Sequence, residues 1–295
     1  MDFFLQIAVS GLSIGIVYGI VALGIVLIWK STAVFNFAQG AFLLVGGYFA
    51  WTCIVQWHLP VWLAFILTII VCAIVCYLVQ YLCFRPLIGQ PHRAVILMAI
   101  ALIGLVEGGV ILFWKGIAQN YIPPIFPKEP VHLGGITISQ EYVWVLGMSA
   151  ALLIAFGLFF QRTRLGLAMR GTCEDHELAE SVGISVETVF GQSWIIVGII
   201  SAVIGITLSS LYAVEIGIAH IGLVAFAVVL VGGLESFPGA IAAGLIIGLS
   251  ESLACGYLDP IVGGGVRDVF SWMVAILVII FFPHGIFGYK KIERV

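Results

Sequence analysis

The sequence predicts an all-α, polytopic integral membrane protein, and three observations carry that prediction. Hydrophobic residues make up 62% of the 295-residue chain and charged residues only 9%, where a soluble domain carries about a quarter. Mean hydropathy is +1.20. The apolar residues also fall into runs of roughly 20, the length that crosses a bilayer's hydrocarbon core as a helix. Too few polar side chains remain to cover a water-facing surface. The 35 glycines agree, because glycine is commoner in membrane helices than in soluble ones. A formal charge of −3 gives no argument for nucleic acid or for an acidic partner.

Each span can be justified in turn. Phe3 to Trp29 is too long for a signal-peptide core and has no basic residue before it, so it reads as a retained helix. Further spans are expected at 36–56, 60–83, 94–114, 141–160, 192–214, 237–256 and 268–283. The stretch 216–234 follows Glu215 closely and is rich in glycine. It reads as either a full span or a half-span, giving eight to nine transmembrane helices in all.

Basic residues set the orientation. With nine spans and the N-terminus outside, the inner loops hold Lys30, Arg85, Arg93, Arg162, Arg164, Arg170, Lys290, Lys291 and Arg294. The outer loops hold only Lys115, Lys128 and Arg267. That bias favours N-out, C-in and an odd number of spans. The expected organisation is one transmembrane domain, 1–295, with a cytoplasmic loop at about 162–191. The other long loop, 115–140, carries Pro123, Pro124, Pro127 and Pro130 and reads as an extended outer connection.

A faint internal repeat is visible. Ala41-Phe42-Leu43-Leu44-Val45-Gly46-Gly47 resembles Ala225-Phe226 followed by Val229-Leu230-Val231-Gly232-Gly233. Each follows one long span, and under the nine-span reading spans 1 and 6 cross in opposite directions. That is the pattern of an inverted repeat of four plus four spans with span 5 as linker, a common transporter design. Chance similarity between apolar segments is the competing reading.

Four segments could carry function. The first is Asn36-Phe37-Ala38-Gln39-Gly40, just past Lys30. Two amides at the mouth of a span are costly against lipid. Amides both donate and accept, which suits a water-filled path for an amino acid or amide solute. The alternative is helix capping by Asn36, or glue between helices. The second is the inner loop, where Glu174-Asp175-His176-Glu177-Leu178-Ala179-Glu180 leads to Gly183-Ile184. That acidic stretch can form a short helix ended by Gly183, or it is a solvated loop beside basic anchors.

The third is the pair of intramembrane ionisable residues, Glu107 and Glu251. A charge at the bilayer centre costs roughly 2.5–3.5 kcal/mol, so both should face the protein interior. They fit structural hydrogen bonding, with Ser250 and Ser252 as neighbours of Glu251, or a proton relay. The fourth is Gly232, Gly233, Gly239, Gly244 and Gly248. Gly244 and Gly248 are spaced for close helix packing, while Gly232-Gly233 with Pro238-Gly239 weakens a helix.

The sequence has no GxxxxGK[ST] phosphate loop, so ATP is not expected to bind this chain by that motif. There is no metal-ligand cluster and no nucleophile-plus-base motif, so no catalytic residue, metal site or cofactor is assigned and the chain is not read as an enzyme. The six cysteines form no metal-type CxxC pair and read as small hydrophobes.

These patches together resemble the branched-chain amino-acid ABC transporter permease family, LivH type, over nearly the whole chain. The NFA-x-G segment is Asn36–Gly40. The inner loop resembles the family's at Arg162-Thr163-Arg164-Leu165-Gly166-Leu167-Ala168-Met169-Arg170, at Ala179 and at Gly183-Ile184. A later signature runs through Gly232-Gly233-Leu234, Pro238-Gly239-Ala240, Gly244, Gly248 and Glu251. The end matches at Arg267-Asp268 and Pro283-His284-Gly285-Ile286-Phe287-Gly288. The chain departs from the family pattern at Ala41, where an acidic residue is common, and at Phe282, where arginine is.

The resemblance implies an ABC importer permease translocating branched-chain or hydrophobic amino acids across a bacterial inner membrane. Its partners would be a second homologous permease, two cytoplasmic ATPase subunits that bind ATP, a periplasmic solute-binding protein and membrane lipid. Asn36, Phe37, Gln39 and Gly40 would line the pathway. Glu177, Leu178, Ala179, Glu180, Gly183 and Ile184 would form the helix that couples to the ATPase. Other readings are an ABC permease for urea, short amides or aromatic acids, or an ion-coupled secondary transporter or channel.

Overall fold

A computed structural model of the protein describes residues 2–32, 34–87, 90–133 and 136–288. Lys290, Lys291 and Arg294, which entered the charge count, lie outside the described residues. The helices run α1 (Asp2–Thr32), α2 (Gln39–Trp51), α3 (Val61–Val79), α4 (His92–Trp114), α5 (Gln140–Arg162), α6 (Arg164–Glu174), α7 (His176–Ser181), α8 (Val186–Tyr212), α9 (His220–Gly232), α10 (Phe237–Val262) and α11 (Val266–Phe281). A π-helical turn, Thr52–Gln56, follows α2, and a second, Gln80–Phe84, extends α3.

Among the described residues, six helices are long and apolar enough to cross a membrane. The molecule is therefore a helical, multi-pass membrane protein. Length alone does not reach the expected eight or nine crossings, because α2, α9 and α11 are short. The expected span 36–56 becomes helical only at Gln39. The stretch 216–234 begins as a 3-10 turn, Ile216–Ala219, and continues as the 13-residue α9, about 20 Å at 1.5 Å per residue. The outer connection departs from an all-α reading: strands β1 (Pro130–Leu133) and β2 (Ile136–Ser139) pair antiparallel, with Pro130 opposite Ser139.

The chain divides into two compact units. The first comprises Met1–Val26, Lys128–Ser149 and Leu223–Val295. Its axis is a crossing of α1 on α10. A Cβ at Gly248 would lie 2.2 Å from the Gly15 Cα, and one at Gly244 would lie 2.5 Å from the Gly19 Cα. Only glycine lets these backbones meet, which is the small-residue packing of membrane helices. Ser13 Oγ donates to the Tyr142 carbonyl at 3.2 Å, and Lys128 pairs with Glu141 at 3.3 Å. Both contacts tie the start of α5 into this unit.

The second unit comprises Leu27–Pro127 and Ala150–Gly222. Here α8 packs along α2 and α3. Trp194, fully buried, stands edge-on to Phe42 of α2 and lies 4.7 Å from the Phe84 ring. The outer connection is pinned over α2: Tyr121 donates to the Gly47 carbonyl at 3.0 Å, and the Trp51 indole N–H donates to the Asn120 carbonyl at 3.1 Å. Leu105, Leu112 and Phe113 of α4 stand exposed, an apolar surface suited to acyl chains. All six cysteines are free thiols: Cys53, Cys72 and Cys76 are buried, and the others are half-buried.

Candidate functional site

Three places gather the residues singled out above. The first is the NFA-x-G segment. Asn36 and Gln39 are both fully buried. The Asn36 amide Nδ2 donates to Gln39 Oε1 at 3.0 Å, and Gln39 Nε2 donates to Ser201 Oγ of α8 at 3.1 Å. A chain of three polar groups therefore joins the start of α2 to the middle of α8. Its far end is open: Asn36 Oδ1 is buried and has no hydrogen-bond partner among the described residues. Such an atom costs about 1–3 kcal/mol.

Capping is not the role of Asn36, because Ala38 occupies the N-cap of α2 and no side chain caps it. Gly40 marks a close approach, since a Cβ there would meet the Ala219 carbonyl oxygen at 1.9 Å. Phe37 is half-buried and lies 6.1 Å from Phe35, whose ring stacks on Trp29 at 4.0 Å.

The second place is the inner loop. The acidic stretch does form a short helix, α7. The Asp175 carboxylate caps it by accepting from the Leu178 N–H at 3.0 Å. At the other end Gly183 has φ +86, its N–H donates to the Glu180 carbonyl at 2.9 Å, and the Ile184 N–H donates to the Ala179 carbonyl at 3.0 Å. This is the paired closure that a left-handed residue after a helix makes possible. Ala179 packs with Val186 and Phe190, with Ile184 against them. The outer face carries Glu177, Glu180 and, 64% and 70% exposed, Leu178 and Val182.

So the six residues expected as one contact surface divide. Glu177, Leu178 and Glu180 face out, whereas Ala179 and Ile184 lie beneath and hold the helix on α8. Val182 was not singled out from sequence. Around the loop, Lys30 pairs with Glu174 at 3.9 Å, and Arg170 donates to the Phe160 carbonyl. Burial pushes the Cys173 thiol up to about 11 despite the nearby Lys30 ammonium, so it is a poor nucleophile at neutral pH.

The third place is Glu251 on α10. It is fully buried and both oxygens are engaged. Tyr18 of α1 donates to Oε1 at 3.0 Å, Ser271 of α11 donates to Oε2 at 2.6 Å, and the Arg267 guanidinium meets Oε1 at 3.0 Å. The expected serine neighbours are not the partners. Ser250 Oγ turns back to the Ile246 and Ile247 carbonyls within α10, and Ser252 Oγ is buried without a partner among the described residues. Glu107 differs: it is half-buried on α4, with no hydrogen bond or ion pair among the described residues. None of the described residues forms a group of three or more His, Cys, Asp or Glu that could hold a metal.

Comparison with known proteins points one way. A sequence model described as "Branched-chain amino acid transport system / permease component" matches residues 7–282, bearing out the resemblance read from the motifs. The chain is 29% identical to the high-affinity branched-chain amino acid transport system permease protein BraD of Pseudomonas aeruginosa, over 99% of this chain and 98% of BraD. It is 27% identical to the LivH permease of Escherichia coli over the same shares. It is 33% identical to a probable LivH of Methanocaldococcus jannaschii over 93% of this chain and 90% of the relative. Among solved structures, a chain of PsaBC from Streptococcus pneumoniae, in complex with Fab, has a similar fold, with TM-score 0.52 and 15% identity over 100% of this chain and 96% of that one.

Proposed function

Since the chain belongs to the branched-chain amino acid transport system permease family, we propose that it is the membrane-spanning permease of an ATP-driven importer. Its solute is a branched-chain or similar hydrophobic amino acid, and its place is a bacterial inner membrane. The carrying observation is the match over residues 7–282, joined by relatives named for that transport. The chain has no phosphate loop, so ATP is bound by partner ATPase subunits and a solute-binding protein delivers the amino acid. A second permease completes the pore.

α7 supports the ATPase contact. A capped six-residue helix fixed on α8 presents two large apolar side chains, Leu178 and Val182, beside two carboxylates. Exposed apolar residues rimmed by charge suit protein docking. The Asn36–Gln39–Ser201 chain supports the pathway. It links two helices, and its unpartnered acceptor, Asn36 Oδ1, is available to a solute ammonium when the helices part.

The packing also supports the inverted repeat. α1 crosses α10 and α8 packs on α3, so the first span of each proposed half lies against the third span of the other. Rocking of such halves about a midplane path gives alternating access. The ion-coupled reading draws less support, because the oxygens of Glu251 are already met by three donors.

Two tests decide. Uptake of labelled leucine into cells should stop on ATP depletion and survive an uncoupler that leaves ATP intact; the reverse pattern removes the importer reading. Replacing Gly183, which sits at φ +86, by tryptophan should distort α7 and separate ATP hydrolysis from transport. Normal coupled transport in Gly183→Trp removes the docking role of α7.

A further inference from the structure

A cavity of about 420 Å³ opens between α3 and α8 at the end carrying Arg85, the inner end by the basic-residue count. Its volume falls in the range of about 300–1,000 Å³ that holds small ligands. None of the residues assigned above to transport or docking lines it. One wall is aromatic: Tyr77 and Tyr81 lie near-parallel with centroids 6.3 Å apart. At the mouth, the Arg85 guanidinium stands 5.0 Å from the Tyr81 ring centre and pairs with the Glu187 carboxylate. Both charged side chains are about half-exposed, so both can turn to a ligand.

Two amides deepen the site. Gln80, only 4% exposed, lines the cavity and makes no side-chain hydrogen bond among the described residues. Gln192, across on α8, has a buried Oε1 with no partner among the described residues. Buried amide atoms are normally paired, so the orphaned Gln192 oxygen, with the Gln80 amide beside it on the cavity wall, points to a guest. Gln80 also opens a π-helical turn, Gln80–Phe84, a local widening found often at functional sites. Gly191 keeps the space clear: a Cβ there would come 3.0 Å from the Tyr77 ring.

The charges define the guest. Arg85 and Glu187 stand side by side, so a lone anion or a lone cation meets one attraction and one repulsion. A molecule carrying both charges a short distance apart meets two attractions. We propose that the cleft between α3 and α8 binds a small zwitterion bearing an ammonium beside an acidic group. Arg85 takes the acidic group, Glu187 the ammonium, Gln80 and Gln192 hydrogen-bond the polar body, and Tyr77 and Tyr81 cover the apolar part. A free amino acid and the headgroup of phosphatidylethanolamine share this chemistry. The inference stands apart from the transport reading, because binding is measured without turnover.

The test uses the full chain in nanodiscs of two compositions. In phosphatidylglycerol alone, labelled leucine is titrated, with leucine methyl ester and 4-methylpentanoate as its single-charge analogues. In mixed bilayers, retained phosphatidylethanolamine is counted by native mass spectrometry. Leucine bound, with both analogues excluded, assigns the free amino acid. Phosphatidylethanolamine retained without leucine binding assigns the headgroup.

Gln80→Leu should weaken the bound zwitterion about tenfold, the worth of one hydrogen bond, with no loss of thermal stability, since the Gln80 amide makes no hydrogen bond among the described residues. Glu187→Gln should weaken it further. Glu107→Gln, outside the cleft, should leave it unchanged. Binding of neither zwitterion, or binding indifferent to Gln80→Leu and Glu187→Gln, overturns the proposal.

Discussion

The cluster around Glu251 and the chain Asn36–Gln39–Ser201 are both polar, both buried, and both bridge helices, yet they close differently. Glu251 accepts from Tyr18, Ser271 and Arg267, one donor on α1 and two on α11. The Asn36 chain ends on an acceptor with nothing to receive. A buried polar group normally finds partners because an unmet one is expensive. A saturated cluster therefore reads as structure, holding α1, α10 and α11 in one arrangement. An open one reads as a site whose missing partner comes and goes.

The largest effect tests the saturated side. Glu251→Ala leaves the Tyr18 and Ser271 hydroxyls facing a void, while Arg267, 42% exposed, turns to water, so the loss should be about 1–3 kcal/mol, the cost of unmet buried polar groups. Thermal unfolding of the purified protein should show that loss, with Glu251→Gln retaining part of the stability because an amide still accepts from Tyr18 or Ser271. An alanine variant as stable as the wild type breaks the comparison at its first term.

Next comes Gln39→Leu. Two hydrogen bonds are lost, but interhelical bonds inside membranes average only about 0.6 kcal/mol, with a maximum near 1.7. Thermal stability should fall by about 1 kcal/mol, while leucine uptake falls about tenfold or more, beyond what one hydrogen bond's worth of lost fold would explain. A variant that loses stability and uptake in the same proportion places the chain with Glu251, as structure.

Much of this was legible in the sequence, for a physical reason. Apolar runs mark spans one by one, so α1, α3, α4, α5, α8 and α10 stand within a few residues of where hydropathy puts them. Local chemistry was legible too: Asp175 and Gly183 frame α7 because capping and left-handed closure act over three to five residues. Long-range pairing was not. Tyr18 meets Glu251 across 233 residues, and adjacency in sequence pointed instead to Ser250 and Ser252. Gln80 and Gln192 share a cavity only because α3 and α8 pack together. Exposure was not legible either: Ala179 lies under α7 and Val182 on top of it, although valine is the more hydrophobic of the two.

Glu107 offers a third term for the comparison. It is half-buried on α4 and has no hydrogen bond or ion pair among the described residues. Glu107→Gln should change stability by less than about 0.5 kcal/mol, as substitutions away from packed features do. Uptake should keep its rate and its indifference to an uncoupler. A variant that loses transport, or makes it sensitive to the proton gradient, makes Glu107 a proton site and revives ion coupling.

The smallest expected change in stability is the sharpest test. In Asn36→Leu the unmet acceptor Oδ1 disappears, but so does the donor that served Gln39 Oε1. One orphaned acceptor is exchanged for another, and leucine adds buried apolar area. The net change should lie within about 0.5 kcal/mol, because like costs cancel. Transport should not cancel: without Oδ1 an arriving ammonium has no acceptor at this point, so leucine uptake should fall while thermal stability stays level. Unfolding midpoints and initial uptake rates, measured on the same preparations, separate the outcomes. If uptake follows stability and neither moves, Asn36 Oδ1 is an uncompensated flaw in the fold, and the distinction between the open chain and the closed cluster loses its functional meaning.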